Sequence, residues 1–313
     1  MPGSHTTGPG SDDHGPARPV EPDHTGDPSR NRTARFAWGA VAVILVGVVV
    51  LVVLALTGPP RTPGVVHRVA TSSDVIAAMA KVPESVFDSV GVTAPDSALT
   101  APRVLTGQPP LSSTGKPEVL FIGADYCPFC GAERWPLIVA LSRFGHFTSL
   151  HNMQSAQLSV FSDLQTFSFV GSAYTSRYVA FTGVELYSGA ADIDGAFTRI
   201  ARLTPTESAM LARYGAGPTT GSGPASYPFV DIDNTMVTST AGFSPAIIVG
   251  QSQSAIVAAL SQPDSPIGEA IVSSANYLTA GICLATDQQP QSVCSSRGVR
   301  TAAQALGVRT SRA

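Results

Sequence analysis

The chain has 313 residues, 43% hydrophobic and 13% charged, which is ample apolar material for one sizeable core and too much for a chain disordered throughout. Its 19 Lys+Arg against 22 Asp+Glu leave a formal net charge of -3, and no basic cluster is interleaved with aromatic residues. That balance excludes a nucleic-acid partner held by phosphate neutralisation.

Residues 1–35 consist largely of Pro, Gly, Asp, His, Ser and Thr, so they bury too little surface to offset chain entropy and are expected to form a disordered tail. His5, His14 and His24 lack the close spacing of a metal-ligand pair, and no metal is expected. Phe36 to Leu56 then run for 21 residues without a charge. A helix rising about 1.5 Å per residue crosses the roughly 30 Å hydrocarbon core in about 20 residues, so this segment reads as a transmembrane helix. A cleaved signal peptide would have a shorter apolar region, and Ala55-Leu56-Thr57 is a poor cleavage site, so an uncleaved anchor is expected. Arg18, Arg30, Arg32 and Arg35 precede the span, and Arg61 and Arg68 follow it. The excess before the span predicts a cytoplasmic N-terminus, a single pass through the cell membrane and a main domain outside the cytoplasm.

Residues 57–71 read as a linker, because Gly58-Pro59-Pro60 ends the helix and Pro63-Gly64 prevents another. Ser73 and Asp74 predict a helix start, and Pro83 with Glu84 a second short helix that Gly91 closes. Residues 93–116, rich in turn formers, read as a surface connection.

Val119 to Ile122 form a short apolar run bounded by Pro117 and Gly123, the pattern of a buried strand. Beyond a turn, Trp135, Leu137, Ile138, Leu141 and Phe144 recur at helical spacing. Cys127 therefore falls at a helix N-terminus, where unpaired N–H groups and the macrodipole favour a thiolate, and Cys130 lies one turn further in. That placement suits thiol-disulfide exchange, with Cys127 as nucleophile and Cys130 as resolving thiol. Two other readings remain open: a noncatalytic binding module with a structural Cys127–Cys130 bridge, and a Cu(I) carrier drawing on His151 or Met153. Half a zinc site is less apt, because Cys283, Cys294, His146 and His151 supply no familiar second half.

Arg134 could share the cysteines' helix face and stabilise a thiolate, although solvated packing of its stem is the default. Asp125 could relay a proton, its default being a solvent-facing turn. Asp231 and Asp233 alternate as a polar strand face or a buried acid, and Pro136 is expected to kink its helix.

The turn Ala124-Asp125-Tyr126-Cys127 followed by Cys130 resembles the active-site turn of thioredoxin-fold proteins. The runs GKPEVLFIGADYCPFCGAERW, ALSRFGHF, YTSRYVAF, YPFVDIDN and ANYLTAGIC, in that order, resemble a family of membrane-anchored proteins from actinobacteria and archaea catalogued as a domain of unknown function. The resemblance spans about residues 72–296. It implies an α/β, thioredoxin-like fold with an insertion at about 146–226, preceded by the one transmembrane helix. It also implies a cis bond at Tyr227-Pro228 that exposes the preceding backbone for strand-like pairing with substrate, the alternative being a trans proline that begins an edge strand.

Periplasmic thiol oxidases resemble this arrangement but carry a helical insert; here Thr166 to Val170 and Tyr178 to Tyr187 look strand-like. Pro205 to Tyr214 reads as a helix capped by Thr204 and stopped by Gly215. After an apolar run at Ala246 to Val249, helices are expected at Gln253 to Leu260 and Ile267 to Leu278. Cys283 and Cys294 could then close a structural disulfide worth about 3 kcal/mol, followed by a partly helical tail at 297–313. The expected function is a membrane-anchored, extracytoplasmic thiol-disulfide oxidoreductase. It would act on protein thiols or disulfides, need a redox partner and use no cofactor.

Overall fold

Charge-free Val119–Gly123 lacks any residue able to face water, and the chain buries it at the centre of the main sheet. A computed structural model describes residues 68–93, 101–156, 161–215 and 226–308, all in one compact unit. The N-terminal tail, the apolar span at 36–56, most of the linker and the end of the C-terminal tail lie outside the described residues.

The described chain opens with β1 (Val69–Ala70), α1 (Ser73–Ala80) and α2 (Glu84–Val90). Ser72 caps α1 by accepting the Val75 N–H at 3.3 Å, and Gly91 ends α2 at φ +57°, where a side chain would be strained. β2 (Arg103–Val104) and β3 (Ser112–Ser113) lie within the segment expected to be a plain connection, paired with neighbouring strands. Next come β4 (Lys116–Gly123), α3 (Pro128–Ser142), β5 (Gly145–Gln154), β6 (Gln165–Ser176), β7 (Ala180–Glu185), β8 (Tyr187–Ala191) and β9 (Phe197–Arg199). α4 (Pro205–Tyr214) carries a complete capping box, Thr204 and Glu207 each satisfying the other's backbone N–H. The chain continues through β10 (Phe229–Ile232), β11 (Met236–Thr238), a single 3-10 turn at Pro245–Ile247, α5 (Gln253–Ala259), α6 (Pro266–Ala285), α7 (Gln291–Cys294) and α8 (Arg297–Ala305).

The architecture is mixed α/β. β4 pairs in parallel with β7 and antiparallel with β10, β10 pairs antiparallel with β11, and β2 and β3 extend the sheet. A second, antiparallel sheet has the order β1-β5-β6, and β8 with β9 forms a separate hairpin. Val69–Ala70, placed by sequence at the end of the linker, is thus an edge strand held against Asn152 and His151.

α3 packs between α6 on one side and β5 and β6 on the other, and Pro128 and Cys130 through Leu141 are buried all round. Trp135 illustrates the fit: its ring lies edge-on to Phe167 at 4.6 Å, and its Nε1–H donates to the Gln165 carbonyl at 3.0 Å. Each large apolar side chain so buried contributes about 1.5–3 kcal/mol over an exposed one. Pro136 lies inside α3. α6, eight residues longer than the apolar stretch read from sequence, is long and apolar enough to cross a membrane. Most of it is buried against α2, α3 and α8, so core packing accounts for its composition.

The two strand acids separate. Asp231 is fully buried on β10 and accepts the Asn234 N–H at 2.7 Å, and burial pushes its carboxyl up to about 7. Asp233 stands at φ +54° in the turn to β11, so the alternating polar face expected from sequence is absent.

Candidate functional site

At the end of β4, Gly123 lies directly against the buried thiol: a Cβ there would sit 3.2 Å from Cys130 Sγ and 2.6 Å from the Phe121 ring. The chain turns through Ala124, Asp125 and Tyr126, and Cys127 takes the N-cap of α3 in extended backbone geometry. Its sulfur accepts the Cys130 backbone N–H at 3.4 Å, and Pro128 fills the first helical position, where no N–H is needed. Both cysteines are free thiols; Cys127 is 8% exposed and Cys130 fully buried.

This difference of depth splits their acidities. The Cys127 thiol is held below its ordinary value, first by the hydrogen bond from the Cys130 side chain, then by backbone N–H groups and the Arg134 charge, which together outweigh burial. Burial pushes the Cys130 thiol well up, and the neighbouring Cys127 adds to the rise. Of the two sulfurs, the outer one therefore ionises first.

Arg134 and Asp125 are both fully buried, against the default readings of a solvated stem and a solvent-facing turn. The reason is distant pairing. Arg134 Nε and Nη2 bind Glu185 at 2.9 and 2.7 Å, Nη2 also donates to the Ala124 carbonyl at 2.9 Å, and Asp125 Oδ1 stands 3.9 Å away. Arg68 reaches Asp125 from before β1 at 2.5–2.9 Å. Burial lifts the Glu185 carboxyl above its ordinary range despite the guanidinium, and Glu185 also accepts the Phe169 N–H at 3.3 Å. A fixed positive charge thus stands behind the thiols, held by two carboxylates.

An aromatic wall borders the outer thiol. Tyr126 and Tyr227 share a hydroxyl hydrogen bond of 2.5 Å, Phe197 of β9 stacks on Tyr126 at 4.0 Å, and Phe129 meets Phe161 edge-on at 5.7 Å. The Tyr227-Pro228 bond is cis, and Phe229 pairs with Ile122, so Pro228 enters the sheet at the end of β4 that leads to the cysteines. The structure thus brings together Cys127, Cys130, Asp125, Arg134, Tyr227 and Pro228. Cys283 and Cys294, bonded to each other at a Cα–Cα distance of 5.6 Å, instead join α6 to α7. Among the described residues no group of three or more His, Cys, Asp or Glu side chains is set to hold a metal ion.

The profile of a family described as a domain of unknown function (DUF929) matches residues 104–284, more than half of the chain. The chain belongs to that family. The match takes in every residue of the thiol site except Arg68, and it includes Cys283 but not Cys294. No curated protein and no solved structure matches.

Glu185, Tyr126 and Phe197 are site residues that the sequence reading passed over. One signal was available: Glu185 is the lone acid in the strand-like run from Tyr178 to Tyr187, and an acid amid buried positions needs a partner.

Proposed function

We propose that this protein is a thiol-disulfide oxidoreductase of thioredoxin-like fold, anchored by the apolar segment at residues 36–56 with its main domain outside the cytoplasm. The observation that carries the reading is the asymmetry of the pair: an acidified Cys127 at a helix start, 8% exposed, and a fully buried, hard-to-ionise Cys130 one turn on. The fold reading draws support from the strand order β7-β4-β10-β11. There, β4 leads into the cysteine turn and α3, and the chain returns through β5 and β6 to β7, parallel to β4, while the β10–β11 hairpin flanks β4 before α6.

In the proposed reaction the Cys127 thiolate attacks one sulfur of a protein disulfide, forming a mixed disulfide and expelling the other sulfur as a thiolate. Cys130 then loses its proton and attacks Cys127 Sγ. The Cys127–Cys130 bond forms, the second substrate thiol leaves, and two electrons have passed to the substrate. Run backward, the same steps oxidise a protein dithiol. Either direction needs a second protein dithiol or disulfide to reset the pair. Tyr227-Pro228 and the aromatic wall are the proposed docking edge for the substrate backbone.

The test is trapping. Cys130→Ser should accumulate mixed disulfides through Cys127, visible on nonreducing gels and assignable by mass spectrometry, and a second change, Cys127→Ser, should abolish them. A Cys130→Ser protein that captures no thiol partner would leave the fold without this activity.

A further inference from the structure

On the opposite flank of α3 from β5 and β6 lies a cavity of about 250 Å³, walled by α3, α6, the end of β11 with the segment that follows it, and Thr93, Ala101 and Pro102. Glu133 of α3 lines it and is 1% exposed. Its Oε2 accepts the Gly242 N–H at 2.7 Å, a contact that depends on bare backbone, since a Cβ on Gly242 would lie 2.6 Å from Ser274 Oγ. Thr238, 7% exposed, also lines the cavity, and its Oγ1 is buried without a hydrogen-bond partner. Ser273 and Ser274 are already engaged, with Thr93 and the Ala270 carbonyl.

Among the described residues the lining contains no Lys, Arg, His or Asp, and Glu133 is the single carboxyl. A bound anion would meet no countercharge, and a bound cation only one buried acid. An apolar cavity of about 150 Å³ holds benzene, so this one has room for a ring bearing a short substituent.

We propose that this cavity binds a small uncharged, largely apolar molecule that presents one hydrogen-bond acceptor, a carbonyl or ether oxygen, to the carboxylic acid of Glu133, with Thr238 as a second polar contact. Burial pushes the Glu133 carboxyl up to about 8, opposed by the Gly242 N–H alone. With Oε2 occupied, the remaining oxygen carries the proton into the cavity at neutral pH. Tyr277, the other titratable lining group among the described residues, is raised by burial and stays neutral as well. Binding is therefore level below about pH 8 and weakens as Glu133 ionises. This inference is independent of the thiol chemistry.

The test titrates the full-length chain with three probes of one shape: acetophenone, ethylbenzene without an acceptor, and α-methylbenzylamine with a cation. Acetophenone should bind saturably, about tenfold tighter than ethylbenzene, and lose affinity above about pH 8. Glu133→Gln, whose amide still donates, should keep that affinity and remove the pH dependence, whereas Glu133→Leu should lose about tenfold. Ala270→Phe should fill the cavity and abolish binding; if that variant fails to fold, Thr238→Val should weaken acetophenone several-fold. Equal binding of ethylbenzene, preference for the amine growing with pH, or no saturable binding would each overturn the proposal.

Discussion

Two sulfurs three positions apart in sequence occupy different electrostatic worlds because one caps a helix and the other lies inside it. The account predicts that the rate of Cys127 alkylation, followed against pH, has its midpoint below that of an ordinary thiol. Cys130→Ala, which removes the hydrogen bond from its side chain, should move that midpoint upward, and Cys130→Ser should restore part of the shift because a hydroxyl still donates. An unchanged midpoint in both variants would place the cause elsewhere. Arg134 acts through its charge and is costly to strand. Arg134→Leu leaves Glu185 buried and unpaired and should destabilise by about 3–5 kcal/mol in urea unfolding. The double variant Arg134→Leu with Glu185→Leu should cost far less than the two single changes added together. The cysteines were legible because the strand, turn and helix that place them are contiguous. The burial of Arg134 and Asp125 was not, because Glu185 and Arg68 lie 51 and 57 positions from them in sequence.

At the scale of elements, what sequence revealed tracks local signals. Thr204, Pro205 and Gly215 bracket α4 where structure puts it, and Gly91 closes α2. β5 escaped notice because its residues alternate only loosely between buried and exposed, and its pairing with β6 slips register twice. β2 and β3 are two residues each; β2 exists only through β11, far along the chain, and β3 through a tight turn back onto the start of β4. The α6–α7 disulfide closes a short loop, so changing Cys283 and Cys294 together to Ala should cost about 3 kcal/mol while leaving the Cys127 alkylation rate unaltered. A fall in that rate would tie the bridge to the redox site. Glu133 gives α3 a pH signature of its own. Its folded value of about 8 lies above the ordinary 4.5, so its contribution is fully present below pH 4.5 and is lost as pH rises through 8. Between those limits stability should fall by up to about 1.4 kcal/mol per pH unit from this group, and Glu133→Gln should flatten that slope in thermal unfolding.

For the whole molecule, the strand order, the parallel β4–β7 pair and the core helix α6 cooperate to hold one turn, residues 124–127, just beyond the end of the central strand β4. Sequence gave access to the mixed α/β class through the periods of β4 and α3. The second sheet needed the tertiary pairing of β5 with β6, which no local pattern encodes. The orientation drawn from flanking arginines predicts that a reporter active only in the cytoplasm is silent when fused after Ala313. The most direct measurement of the central claim is equilibration of the purified full-length chain in glutathione buffers of graded potential, with the disulfides mapped by mass spectrometry. The account predicts reversible formation of a Cys127–Cys130 bond in the native protein, and glutathione trapped on Cys127 when Cys130→Ser removes the resolving thiol. Thiols that stay reduced at every potential, or a bond that forms only after unfolding, would contradict it.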